Sequence, residues 1–181
     1  MTAEYDAIVY DLDGTLARLR VDWGTVREDV AAKFSARGFD VGGADLWDLL
    51  ERAQRDPLEG LVEETIAEHE REGARLSDRL PLADELPHEV PVGVCSLNAE
   101  AACRIALEIH GLDHYVATVV GRDTVGAYKP DPEPLLRTVQ GLSAAPAETL
   151  FVGDSERDAV TAERAGVPFQ YVSDRLGRAR E

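Results

Sequence analysis

The sequence predicts an α/β fold: a Rossmann-like, doubly wound parallel sheet of five main strands, with a small helical domain inserted after the first strand. Three observations carry that expectation. Five short apolar runs recur without alternation, the pattern of strands covered on both faces. Helical patterns separate the later runs, and such alternation implies parallel strands joined by right-handed crossovers. The stretch 17–82 breaks the rhythm, with helical patterning and no convincing strand.

Taken in order, the first run is Ala7–Tyr10, which leads into Asp11-Leu12-Asp13-Gly14-Thr15. Three helical segments are expected in the insert, over Trp23–Arg37, Ala44–Arg55 and Leu58–Glu72. In the third, Leu58, Leu61, Val62, Thr65, Ile66 and His69 share one face, while Glu59, Glu63, Glu64, Glu70 and Glu72 are expected to point away from it. His69 on that stripe reads as a partly buried core residue and not as a ligand. The second run, Val92–Cys95, leads to Ser96, and Asn98 is placed to cap a helix that stops at Gly111. After the third run, Ala117–Val120, Asp131-Pro132 opens a helix closed by Gly141. The fourth run, Thr149–Val152, precedes "GDSERD", whose helix runs into Gly166, and Phe169–Val172 is the last. The expected division is a core of 1–16 and 83–181 around an insert of 17–82. No internal repeat or low-complexity segment interrupts it.

Composition narrows the function classes. A chain of 181 residues, 44% of them hydrophobic, suits a folded globular protein. No apolar run reaches the ~18 residues of a membrane span. The opening "MTAEYDAIVYD" lacks the basic start and long apolar stretch of a signal peptide, so the expected location is the cytoplasm. Cys95 and Cys103, the only cysteines, read as reduced core thiols. Asp and Glu number 35 against 19 Lys and Arg, a formal charge of −16, and the only lysines are Lys33 and Lys129. So acidic a surface repels nucleic acid and anionic membranes, and neither is expected as a partner. High salt, which screens self-repulsion, is one environment that suits such a surface.

The chemistry is concentrated where strands end. Asp11 and Asp13 stand two positions apart. Asp-Gly is a common turn dipeptide, but a turn needs one aspartate, and two close carboxylates repel unless a metal or a shared proton lies between them. Ser96 follows the second run, Lys129 lies in "GAYKPDPEPL", and Asp154 and Asp158 lie in "FVGDSERD". Ligands of parallel α/β sheets bind outside the carboxyl ends of the strands, so these four pieces can converge.

Together the motifs resemble the haloacid dehalogenase-like superfamily, in its DxDGT phosphatase branch, over the whole chain and in family order. The insert falls where that family places its helical C1 cap, and "DLDGTL" with "KPDPEPL" is most similar to the phosphoglycolate phosphatase-like subgroup. The resemblance implies a Mg²⁺-dependent phosphomonoesterase acting on a small phosphorylated metabolite, 2-phosphoglycolate or a sugar phosphate. It implies that Asp11 is the nucleophile and that Asp13 protonates the leaving alcohol and then activates water. Mg²⁺ would be held by Asp11, the Asp13 backbone carbonyl and Asp154, with Asp158 holding metal-bound water or orienting Lys129. Ser96 and Lys129 would bind the transferring phosphoryl group, and Gly14, Thr15 and Asn98 would complete the substrate site. Each has a plainer reading: helix capping for Ser96, a solvated lysine for Lys129, a solvent-facing helix acid for Asp158.

Asp13 argues against carbon–halogen cleavage and transport ATPases, whose family members lack that second aspartate. The only lysine of the insert, Lys33, lies in an ordinary amphipathic helix, which disfavours Schiff-base phosphonate hydrolysis. Two rivals remain: a phosphomutase and a catalytically idle binding module. Arg18, Arg20 and Trp23 are candidates for substrate contact, or else linker residues.

Overall fold

The structure is a computed structural model that describes residues 5–46, 48–49 and 59–178. Its centre is a five-stranded parallel sheet in the order β5-β4-β1-β6-β7, built from β1 (Ala7–Tyr10), β4 (Val92–Cys95), β5 (Thr118–Val120), β6 (Thr149–Gly153) and β7 (Phe169–Tyr171). Each strand matches an apolar run of the sequence to within a residue at either end.

β1 is central because it can be buried on both faces. Ile8 and Tyr10 join one hydrophobic cluster with Val92, Val94, Leu150 and Val152, while Ala7 and Val9 join another with Cys95 and Phe151. The alternation of side chains along a strand thus feeds two cores from one run of four residues. The first core is covered by α3 (Glu100–Ile109) through Ala102, Cys103, Ala106 and Leu107. The second is covered by α4 (Glu133–Gly141) through Leu135 and Val139, and by α5 (Glu156–Ala165) through Ala162 and Ala165. Truncating a leucine as fully buried as Leu107 or Leu135 to Ala costs about 2–5 kcal/mol. A last helix, α6 (Val172–Arg178), adds Val172 and Leu176 to the first core.

The chain proceeds from β1 to β4 and β5 on one side, then crosses to β6 and β7 on the other. The strand order therefore reverses at the carboxyl end of β1, where Asp11 begins.

The segment after β1 forms its own small cluster. In α1 (Trp23–Ser35), capped by Asp22, the buried residues are Val26, Val30 and Phe34, and they meet Val62 and Ile66 of α2 (Glu59–Arg75). Most of the helix expected over 44–55 lies outside the described residues, though Ala44 and Leu49 belong to this cluster. A two-stranded antiparallel ribbon, β2 (Ala17–Arg18) with β3 (Asp78–Arg79), closes its base. That ribbon was not expected, since two residues carry no readable periodicity.

Helix ends follow local chemistry in part: Gly141 is the last residue of α4, but Leu142 takes the C-cap position and Ser143, at φ 55°, is the left-handed residue. Ser155 caps α5 in a reciprocal capping box with Asp158, and Gly166 ends it at φ 67°. The Asp131 side chain accepts from the Glu133 N–H at the start of α4. Asn98, however, does not cap α3: the N-cap position is Ala99, without a side-chain cap of its own. Carboxylates from elsewhere take the exposed donors, Glu70 from Ala99 N–H at 2.9 Å and Asp123 from Glu100 N–H at 2.7 Å. No helix among the described residues is long and apolar enough to cross a membrane.

Candidate active site

Asp11 leaves β1 with its N–H still bonded to Val152 O at 2.9 Å, and its side chain is nearly buried. The chain then turns sharply. The Leu12 carbonyl accepts from Thr15, Leu16 and Ala17, and Gly14 sits at φ 82°. Only glycine fits there on two counts. The backbone is left-handed, and a Cβ would run into the Asp154 carboxylate. Asp13 points elsewhere, its Oδ1 accepting from the Leu19 N–H at 2.9 Å. Thr15 is fully buried, and its Oγ1 is the one buried side-chain polar atom without a partner among the described residues.

Three more strand ends supply the rest. Ser96, after β4, donates its hydroxyl to Asn98 Oδ1 and accepts from the Asn98 N–H, both at 3.1 Å. Lys129 is buried, with Nζ 3.0 Å from Asp11 Oδ1, 2.5 Å from Asp158 Oδ1 and 3.2 Å from the Cys95 carbonyl. Asp154 lies just past β6, exposed, and Asp158 one turn into α5, buried. Oxygens of Asp11, Asp154 and Asp158 lie within 4.8 Å of one another. An all-carboxylate oxygen set suits a hard divalent cation such as Mg²⁺. Both Asp158 oxygens are already engaged, Oδ1 by Lys129 and Oδ2 by Ser155, so the open donors of the cluster belong to Asp11 and Asp154. Asp13 does not enter the cluster through its side chain.

The electrostatics follow from two buried carboxylates sharing one ammonium. Burial pushes the Asp11 carboxyl up to about 7; Lys129 pulls it down and Asp158 adds to the rise. Burial works against the charge on Lys129, but Asp11 and Asp158 outweigh it and hold the ammonium well above the ordinary lysine value. Burial also raises Asp13, against the hydrogen bond from Leu19, and raises Asp154, with Asp158 contributing. The Cys95 thiol, buried beside Lys129, is pushed up to about 12, which suits an inert core thiol.

These residues open onto a cavity of about 700 Å³ that Asp11, Asp13, Ser96, Asn98, Lys129, Asp154 and Asp158 all line. Trp23, Leu46 and Ile66 form part of its other wall. Of the three candidates in the insert, Trp23 reaches the cavity. Arg20 is spent on Asp78 at 2.9 Å at the surface, and Arg18 is exposed.

Arg122, which also lines the cavity, was not singled out in the sequence. Arg122 follows β5 directly in "VVGRDT", in the same strand-end loop as Lys129, but Gly-Arg-Asp reads as an ordinary turn. Its guanidinium is paired with Glu70 at 2.6 Å and Glu63 at 2.7 Å. Glu70 was expected to face solvent; it is fully buried, because α2 packs along α3 as well as α1.

A family model described as "Haloacid dehalogenase-like hydrolase" matches residues 8–172. The phosphoglycolate phosphatase of Rhodospirillum rubrum is 40% identical over 92 residues, 51% of this chain and 37% of that enzyme. The pyrophosphatase PpaX of Oceanobacillus iheyensis is 26% identical over 170 residues, covering 88% of this chain and 79% of that one. With the first of these, the match spans little more than a third of the relative's length. A solved HAD-superfamily hydrolase of subfamily IA, variant 1, from Geobacter sulfurreducens has a TM-score of 0.62 and 28% identity, covering 91% of this chain and 88% of that one.

Proposed function

The chain belongs to the haloacid dehalogenase-like hydrolases, and from that premise we propose that it is a Mg²⁺-dependent phosphomonoesterase acting on a small phosphorylated metabolite in the cytoplasm. The observation that carries this reading is the meeting of Asp11, Asp13, Ser96, Lys129 and Asp154, from beyond the ends of four strands, on one cavity. Residues 17–82 act as the cap over a core of 1–16 and 83–181, and Trp23, Leu46 and Ile66 supply its contribution to the cavity wall.

In this reading the Asp11 carboxylate attacks phosphorus. The bond to the leaving oxygen breaks, and Asp13 delivers a proton to that oxygen. The raised affinity of Asp13 for its proton suits a group that must arrive protonated. An aspartyl-phosphate on Asp11 results. Asp13, now a carboxylate, takes a proton from water as the water attacks phosphorus, which releases orthophosphate and restores Asp11. Ser96 turns its one hydroxyl proton from Asn98 Oδ1 to a phosphoryl oxygen, and Lys129 balances negative charge on Asp11 and on the group in transfer. Asp11 and Asp154, with the Asp13 backbone carbonyl, would hold Mg²⁺, which lowers the repulsion between anionic nucleophile and anionic phosphate. Gly14 and Thr15 shape the loop beside the phosphate.

The names of the relatives make 2-phosphoglycolate and pyrophosphate the first substrates to try, with sugar phosphates beside them. The test is a panel of phosphorylated metabolites assayed with Mg²⁺ for orthophosphate release, followed by the same assay on Asp11→Asn. Orthophosphate release that Asp11→Asn abolishes is the expected result. Formation of a bisphosphate without net orthophosphate would identify a mutase instead, and no turnover of any ester would leave the idle binding module.

A further inference from the structure

Arg122 and Glu70 form a buried pair that the proposed chemistry does not use. The guanidinium is 3% exposed and the Glu70 side chain 0%. Arg122 Nη1 and Nη2 donate to Glu70 at 2.6 and 3.0 Å, and Nε and Nη2 donate to Glu63, two turns earlier on the same face of α2. A buried ion pair is a poor way to gain stability, because desolvation offsets much of the attraction. What this pair does gain is geometry. Arg122 Nη1 also donates to the Leu97 carbonyl at 2.7 Å. Glu70 Oε1 accepts from Asn98 Nδ2 at 3.2 Å, and Oε2 from the Ala99 N–H at 2.9 Å.

Two side chains from distant parts of the chain therefore hold the loop 96–99 at three consecutive residues. The polarity of the contact matters too. A carboxylate offers no donor, so Asn98 must turn its NH₂ toward Glu70 and its carbonyl oxygen toward the Ser96 hydroxyl.

We propose that Glu70 is a positioning residue for phosphate binding: from α2 it orients Asn98 and, with Arg122, fixes the loop that presents Ser96. The proposal rests on the reading of Ser96 as a phosphoryl ligand. It also ties that loop to the insert, since the loop keeps this geometry only while α2 is docked on the core.

The test compares Glu70→Gln with Glu63→Gln. Both remove one carboxylate from the same guanidinium, but Glu63 does not touch the loop. With p-nitrophenyl phosphate and Mg²⁺, Glu70→Gln should raise KM and the inhibition constant of orthophosphate together by about tenfold, more than it changes kcat, because the amide can now flip and release Asn98. Glu63→Gln should leave both within about twofold, the scatter of a partly exposed pair. If Glu70→Gln does not fold, Glu70→Asp gives the same readout, since it keeps the charge against Arg122 but withdraws it from Ala99. Unchanged KM and inhibition constant in a folded Glu70 variant, or equal changes from the Glu63 variant, would overturn the proposal alone. A wild type that neither hydrolyses a phosphate ester nor binds orthophosphate would overturn the phosphatase reading and this proposal with it.

Discussion

Asp158 Oδ1 lies 2.5 Å from Lys129 Nζ, and both side chains are buried. The opposite oxygen of Asp158 is tied to Ser155 at the head of α5, so the ammonium is anchored to a helix end and aimed at Asp11. Asp158→Asn keeps the shape and removes the anchor. Activity should fall about 10- to 100-fold, the usual effect of losing a partner that orients a functional group. Asp158 is also one of the charges that raise Asp11. The acid limb of the kcat/KM profile should therefore shift to lower pH in the variant, and a limb that stays in place would separate Asp158 from the titration of Asp11.

Gly14→Ala tests the approach of the nucleophile loop to Asp154. The added methyl would overlap the Asp154 carboxylate, and the residue would have to keep φ 82°. The backbone conformation alone costs about 1–2 kcal/mol. Because the collision falls on a proposed Mg²⁺ ligand, the concentration of Mg²⁺ for half-maximal activity should rise more than tenfold, in line with a displaced ligand. A Mg²⁺ titration that matches wild type would remove Asp154 from the metal site.

Asp13→Asn separates the two carboxylates of the loop. Asp13 touches the Leu19 N–H and lines the cavity, while Lys129 contacts only Asp11 of the pair. Loss of a general acid–base group costs about 10²- to 10⁴-fold. The loss should be smaller with p-nitrophenyl phosphate, whose leaving group needs little protonation, than with an alkyl phosphate. Equal losses on both substrates would reject the acid–base role.

The parts of this molecule that were legible in its sequence are those whose cause is local. Ala7–Tyr10 reads as a two-faced strand because all four residues must be apolar, and Ser155 with Asp158 reads as a helix start because the capping partners are three residues apart. Asn98 failed as a cap because the N-cap falls one residue later, at Ala99, and because Asp123, 23 residues past Glu100, takes the Glu100 N–H that an Asn98 cap would have received. Glu70 failed as a surface residue for a related reason. Periodicity places it on the flank of the stripe that meets α1, one turn from Ile66, and cannot report that α2 has a second neighbour in α3. Arg122 was hidden by the same gap, since its meaning lies in two carboxylates from another element.

The acidic surface makes its own prediction. At −16 the chain repels itself, and about 0.1 M salt leaves a Debye length near 10 Å, whereas about 1 M brings it to ~3 Å. The melting temperature should keep rising with KCl into the molar range. A melting temperature that is flat or falling over that range would reject salt adaptation.

The final prediction concerns the proton that a metal would replace. Burial lifts Asp11 from the usual carboxylate value to about 7 in the folded chain, despite Lys129. A group whose affinity for its proton is higher folded than unfolded gives stability that is complete below its unfolded value and is lost as pH rises through its folded one. For Asp11 that window runs from about 4, the ordinary Asp value, to about 7. In EDTA, wild type should lose melting temperature across this window, and Asp11→Asn, which has no such proton, should lose less. Mg²⁺ supplies positive charge where the proton left, so it should stabilise wild type at pH 8 and hardly at all at pH 4.5. Asp11→Asn should show little Mg²⁺ stabilisation at either pH. Thermal melts of both proteins, with Mg²⁺ and with EDTA at the two pH values, decide the matter. An equal Mg²⁺ shift at pH 4.5 and pH 8 would mean that the ion binds somewhere that does not compete with the Asp11 proton.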